Sequence, residues 1–160
     1  MACLQLNTFL CALFLSINFL ELCVGVDRLL PNQTIVVGQT LMSESQVFEM
    51  GFFSPGNSRN RYLGIWYVST PDVVVWVANR DEPVPDSGEV LLAIAGNGDL
   101  VISSAGRVVW STNSSGVAAS PVLQLLDTGN LVLVDGESES SLRGAYGRVL
   151  IIQLIHGYQE

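Results

Sequence analysis

The chain has 160 residues, 15 acidic and 7 basic side chains, a formal net charge of −8 and one histidine. That balance, without a basic cluster, argues against a nucleic-acid partner, because phosphates demand patches of arginine and lysine. The lone His156 leaves a Ser-His-Asp triad or a histidine metal site without partners, and Gly96-Asn97-Gly98 lacks the lysine and following helix of a phosphate loop.

The first 26 residues carry no Lys or Arg and hold an apolar stretch from Phe9 to Leu15 that extends through Ile17, Phe19 and Leu20. This length suits the apolar region of a signal peptide, whereas a membrane span needs about 20 predominantly apolar residues. Cys23-Val24-Gly25 places small residues where a signal peptidase reads, so residues 1–25 are expected to be a leader and Val26 or Asp27 the mature start; the alternative is an uncleaved anchor. Cys3, Cys11 and Cys23 all fall inside this segment, which leaves the mature chain no thiol for a disulfide or a zinc cluster. About 134 residues remain, enough for one domain with a sizeable core. The later apolar run Val149 to Ile155 is too short to cross a bilayer and contains Gln153, so no membrane span is expected in the mature chain. Asn32-Gln33-Thr34 and Asn113-Ser114-Ser115 are acceptor sequences for N-glycosylation, in keeping with a secreted glycoprotein.

From Asp27 to Asp135, short apolar stretches alternate with turn residues and show almost no helical period. Ile35-Val36-Val37-Gly38, Val47 to Phe53 and Tyr62 to Tyr67 have the β-branched and aromatic chemistry of strands. Ser54-Pro55-Gly56-Asn57 and Asp81 to Gly88 read as loops. Strands at this spacing predict an all-β sandwich, barrel or prism.

A unit recurs within this stretch. Asn97-Gly98-Asp99-Leu100-Val101-Ile102 leads to Val108-Val109-Trp110-Ser111-Thr112-Asn113, and an earlier copy ends in Val75-Trp76-Val77-Ala78-Asn79; Trp76 and Trp110 are 34 residues apart, as are Asn79 and Asn113. A third copy starts at Thr128-Gly129-Asn130-Leu131-Val132-Leu133, but no Trp follows it. Repeated units of this kind share a core that no single one can close. Trp66, Trp76 and Trp110 are expected to pack there, in a central apolar cluster that substitutes for disulfides.

Taken with Phe48-Glu49-Met50-Gly51-Phe52-Phe53-Ser54-Pro55-Gly56 and Arg61-Tyr62-Leu63-Gly64-Ile65-Trp66-Tyr67, these motifs resemble the bulb-type lectin domain of plant S-locus glycoproteins and G-type lectin receptor-like kinases over residues 26–135. The resemblance implies a β-prism of three pseudo-repeated, four-stranded antiparallel sheets. It also implies mannose-type sites in which Gln, Asp, Asn, Val and Tyr alternate along one strand, so that all five share one sheet face. In the second unit those positions fall on Ala95, Asn97, Asp99, Val101 and Ser103, and in the third on Leu126, Thr128, Asn130, Val132 and Val134. In the first, Ile65 and Tyr67 match the last two positions while Leu63 stands where Asn belongs. No unit is intact, and each missing neutral hydrogen bond weakens a site by roughly 1 kcal/mol. Asn97, Asp99 and Asn130 also suit simple hairpin turns.

Function is therefore expected to be non-covalent recognition without cofactor or metal, of mannose-type glycans at degenerate sites or of related receptor ectodomains through the loops Ser54 to Arg61 and Asp81 to Gly88, with a truncated non-functional product as the remaining alternative. Arg59, Arg61 and Arg80 are candidate contacts there, with a solvated surface role as the simpler alternative. The family's kinase motifs are absent from this sequence, which contains no lysine. Residues 136–160 depart from the repeat, and the favoured expectation is a shortened product whose third unit lacks its closing strand; the alternative is that Arg148 to Ile155 supplies a substitute. Amino-terminal sequencing of chain collected from the medium of an expressing eukaryotic cell is expected to begin at Val26 or Asp27, and an intact Met1 on membrane-bound chain would instead identify an anchor.

Overall fold

The computed structural model describes residues 27–113, 120–136 and 150–152; the expected leader lies outside them. Thirteen strands occur among the described residues. Three short ones come first, β1 (Arg28–Leu29), β2 (Thr34–Val36) and β3 (Thr40–Met42). Then follow β4 (Phe48–Phe53), β5 (Asn60–Tyr67), β6 (Thr70–Val77) and the two-residue β7 (Val84–Pro85). A second set is β8 (Val90–Ile94), β9 (Leu100–Ser104) and β10 (Arg107–Ser111), and a third is β11 (Pro121–Leu125), β12 (Leu131–Asp135) and β13 (Leu150–Ile152). They build three antiparallel sheets, ordered β3-β4-β5-β6, β10-β9-β8-β2 and β1-β11-β12-β13, with β7 attached to β5.

Each sheet thus combines three strands consecutive in the chain with one taken from the N-terminal segment. That segment visits the third, second and first sheets in turn, and each visit buries one residue: Leu29 opposite Leu123, Ile35 opposite Leu92, Leu41 opposite Met50. The two connecting turns are closed the same way. Gln33 N–H donates to the Leu30 carbonyl at 3.0 Å while Leu30 N–H donates to Gln33 Oε1 at 3.0 Å. Gln39 does the same with Val36 at 3.0 and 3.2 Å, helped by Gly38 at φ 89°, a left-handed conformation that glycine adopts without steric cost.

The three sheets enclose one apolar core. Met50, Leu63 and Ile65 come from the first sheet, Leu92, Leu100 and Ile102 from the second, and Leu123, Leu125, Leu131 and Leu133 from the third. Strand alternation sends the intervening residues outward. Trp76 and Trp110 pack against the core and meet edge to face, centroids 6.3 Å apart. Trp66 does not join them. It lies on the outer side of the first sheet, where its indole N–H donates to Glu49 Oε2 at 2.9 Å, so the central cluster holds two tryptophans and not the expected three.

The third sheet also differs from the favoured expectation. Leu150, Ile151 and Ile152 pair with Leu133, Val132 and Leu131, and so occupy the outer place that the Trp-bearing strands β6 and β10 fill in the other sheets. The substitute-strand alternative is the arrangement found, in a strand of three residues instead of eight or five.

The 34-residue period pairs Asn79 with Asn113, yet their environments differ. Asn79 is 1% exposed; its Oδ1 accepts from Leu63 N–H at 2.9 Å and its Nδ2 donates to the Arg61 and Glu82 carbonyls at 3.2 and 3.1 Å. In the second unit the Thr112 hydroxyl takes over, accepting from Leu100 N–H at 3.1 Å, and Asn113 is exposed at φ 49°. Asn79→Ala strands a buried N–H and two carbonyls and is expected to cost about 2–4 kcal/mol in urea unfolding, whereas Asn113→Ala is expected to stay within roughly 0.5 kcal/mol of the parent.

Candidate functional site

The candidate row in the second unit begins in the β8–β9 turn. Ala95 N–H donates to the Asp99 carbonyl and Gly98 N–H to the Ala95 carbonyl, both at 2.8 Å, with Gly98 at φ 84°. Asn97 is exposed; its Nδ2 donates to Asp99 Oδ2 at 2.8 Å and its Oδ1 accepts from Asp99 N–H at 3.1 Å. Asp99 is only 8% exposed, and its other oxygen lies 3.5 Å from the Thr112 hydroxyl. The two polar groups of the row are thus engaged with each other and with Thr112, as the turn-forming reading anticipates, and the outward side of Asn97 remains open. Beyond them, half-exposed Val101 and Ser103 continue the same outer face.

The third unit repeats the turn closely. Leu126 N–H reaches the Asn130 carbonyl at 2.9 Å, Gly129 N–H the Leu126 carbonyl at 2.8 Å, and Asn130 N–H the Thr128 hydroxyl at 3.5 Å, with Gly129 at φ 82°. The apolar position is closed, however: Val132 is 4% exposed, opposite the buried Gln124 of β11. Gln124 Nε2 donates to Asp27 Oδ2 at 3.4 Å. Thr128 and Asn130 therefore stand without an open Val beside them.

In the first unit Ile65 and Tyr67 point into the domain, not outward. Ile65 pairs with Trp76 as Ile102 pairs with Trp110, which makes Ile65 the counterpart of core Ile102 and not of Val101. Tyr67 packs on the core beside Phe48, centroids 4.7 Å apart. The residues that share the outer face are Tyr62, Gly64 and Trp66, and aromatic rings fill it. Phe53 lies 5.8 Å from Tyr62 and 6.2 Å from Trp66, centroid to centroid. The two glycines make this possible: a Cβ on Gly64 would stand 2.6 Å from Phe53 Cε1, and one on Gly51 would stand 3.2 Å from Trp66 Cη2. The face offers no polar row for a polyol.

The two loops expected to carry recognition are joined into one surface. β7 pairs Val84 and Pro85 with Arg61 and Asn60, Asp86 N–H donates to the Arg59 carbonyl at 2.8 Å, and Arg61 Nε donates to Asp86 Oδ1 at 2.7 Å. Arg61 is thus committed within the chain, while Arg59 and Arg80 are exposed, as are both sequon asparagines, Asn32 and Asn113. Among the described residues there is no group of three or more His, Cys, Asp or Glu that would hold a metal, and no helix is long and apolar enough to cross a membrane.

A family model described as D-mannose binding lectin matches residues 73–146. Three G-type lectin S-receptor-like serine/threonine-protein kinases of Arabidopsis thaliana are 42%, 45% and 49% identical over 140, 125 and 108 residues. These alignments take in 85%, 77% and 66% of this chain but 17%, 15% and 13% of the relatives, so the chain spans less than a fifth of their length. Among solved structures, a monomeric mannose-binding lectin from Gastrodia elata aligns with TM-score 0.52 and 20% identity over 69% of this chain and 89% of that one. A Polygonatum cyrtonema lectin complexed with monomannoside aligns with TM-score 0.51 and 22% identity over 68% and 88%. The fold is that of the bulb-type mannose-binding lectins. The chain carries a bulb-type lectin domain related to that of the G-type lectin S-receptor-like kinases.

One exposed carboxylate beside the third-unit row bonds to the first unit. Asp127 Oδ1 accepts from Ser45 N–H in the β3–β4 turn at 2.9 Å. That bond, with the hydroxyls of Ser45 and Ser43, keeps the Asp127 carboxyl below its ordinary pKa. A carboxyl depressed by folding stabilises above its unfolded pKa, and the contribution disappears as pH falls through the folded value. Asp127→Asn is therefore expected to lower the urea midpoint at pH 6, and the gap from the parent chain is expected to narrow as the pH falls below the ordinary carboxylate range and through the lowered folded value.

Proposed function

We propose that the chain is a secreted recognition module whose activity is carbohydrate binding, with one weakened mannose-type site on the second sheet. The observation that carries this reading is the outward row Asn97, Asp99 and Val101, the one candidate row among the described residues that holds both an exposed amide and a half-exposed apolar side chain. The Thr128, Asn130 and Val132 row contributes little on this view, because its valine is covered. Export through a leader at residues 1–25, with glycans on Asn32 and Asn113, agrees with the exposure of both asparagines. The mannose-binding lectins that share the fold support the sugar class, and the receptor-kinase relatives support an extracellular setting.

A second reading has its own observation. The single surface made from Ser54 to Arg61 and Asp81 to Gly88, fixed by β7 and the Arg61–Asp86 pair, suits a protein partner such as a related receptor ectodomain, since recognition concentrates on loops held by a rigid scaffold.

Thermal unfolding followed by Trp fluorescence separates the two. A ligand that binds only the folded state stabilises it by RT ln(1 + [L]/Kd), so ~100 mM mannose at a Kd of ~10 mM adds about 1.4 kcal/mol. An upward shift of a few degrees is expected with mannose and not with a non-binding sugar; Asn97→Ala is expected to remove it and Asn130→Ala to leave it. A cooperative melt without any shift would favour the loop surface.

A further inference from the structure

The two candidate glycosylation asparagines, remote in sequence, flank the two outer strands of the same sheet: Asn32 lies in the turn before β2 and Asn113 follows β10. Thr34 of β2 is opposite Ala93, Ala93 is opposite Val101, and Val101 is opposite Ser111 of β10, a straight line across the second sheet. Asn32 comes two residues before Thr34 and Asn113 two residues after Ser111. Each neighbouring pair of strands in this sheet is antiparallel, so β2 runs with β9 and β10 runs against it. Stepping back from Thr34 and forward from Ser111 therefore leads to the same end of the sheet, the end at which Asn97 and Asp99 stand. Asn113 follows the strand next to β9 on one side, and Asn32 lies in the turn leading into β2, two strands away on the other side. Thr112, next to Asn113, is the residue whose hydroxyl lies 3.5 Å from Asp99.

We propose that N-linked oligosaccharides on Asn32 and Asn113 lie over the outer face of the second sheet, so that the protein's own glycans crowd the row Asn97, Asp99 and Val101 and restrict, without abolishing, the access of other glycans and of protein partners to it. This rests on the reading of the chain as a secreted glycoprotein and adds what its glycans do. The physical basis is size and convergence. The face is about 15 Å wide across four strands, N-linked glycans are bulky and solubilising, and two of them start from opposite edges at one end. Both asparagines are exposed and free to carry such a group outward. The face beneath holds apolar surface that benefits from cover, with Val108 of β10 63% exposed.

The test uses the full chain from a eukaryotic secretory host. Glycopeptide mass spectrometry reads occupancy, and hydroxyl-radical labelling reads side-chain accessibility before and after an endoglycosidase removes the glycans from the folded protein. Both asparagines are expected to be occupied, labelling of Val101 and Leu91 to rise at least twofold on removal, and labelling of Tyr62 on the first sheet to stay unchanged. Ser115→Ala, which removes one acceptor sequence without touching Asn113, is expected to give a larger share of the rise than Thr34→Ala, because Asn113 is nearer. Unoccupied asparagines would overturn the secreted-glycoprotein reading and the cover with it. Full occupancy with unchanged labelling would leave that reading standing and overturn the cover alone.

Discussion

The domain depends on one constraint, that fifteen residues at the start of the described chain belong to three different sheets. Leu29, Ile35 and Leu41 enter the core from β1, β2 and β3, and each such burial is worth about 1.5–3 kcal/mol. Without these strands each sheet would lose an outer strand and leave the edge of β4, β8 or β11 unpaired. With them, the sheets cannot separate unless the same short segment is pulled from all three. Residues 27–160 contain no cysteine, so this lacing supplies long-range ties without any disulfide, and the Asp127–Ser45 hydrogen bond adds a further contact between distant parts of the chain.

The three units then differ where the core does not restrain them. Their inward positions are alike, with Leu63 and Ile65 corresponding to Leu100 and Ile102. Their outward positions have diverged to Tyr62, Gly64 and Trp66, to Asp99, Val101 and Ser103, and to Asn130, Val132 and Val134. Close packing penalises a change of even one methylene inside, whereas an outer face changes at little cost. The fold can therefore persist while the outer faces of its sheets differ. In the first unit the alteration goes furthest, because Gly51 and Gly64 give the aromatic rings a surface to lie on.

Much of the architecture was legible in the residues. Turn-separated apolar stretches gave the strands, and Trp76 and Trp110 at a common period do meet across the core. Two things were misplaced for a shared reason. The first unit has the longer connection Ser54 to Arg59 where the others have tight glycine turns, so counting along the motif assigned Ile65 and Tyr67 to a face that belongs to Gly64 and Trp66. In a strand, an offset of one residue turns every side chain over. The irregular registers of β5 with β6 and of β9 with β10 likewise let equal spacing link a buried Asn79 to an exposed Asn113. A further signal was present and unused. Leu29, Ile35 and Leu41, and Gln33 and Gln39, recur every six residues, the length of one short strand plus one turn closed by a glutamine. The strand Leu150–Ile152 was the harder case, since β-branched residues show propensity without naming the edge they will join.

The lacing also sets an order of events during synthesis. Arg28 and Leu29 pair with Gln124 and Leu123, residues the ribosome adds nearly a hundred positions later. At 5–20 residues per second, β1 waits roughly 5–20 s for its partner, and the third sheet has no first strand until then. A nascent chain held up before β11 therefore carries an unpaired β1 and an uncovered Leu29.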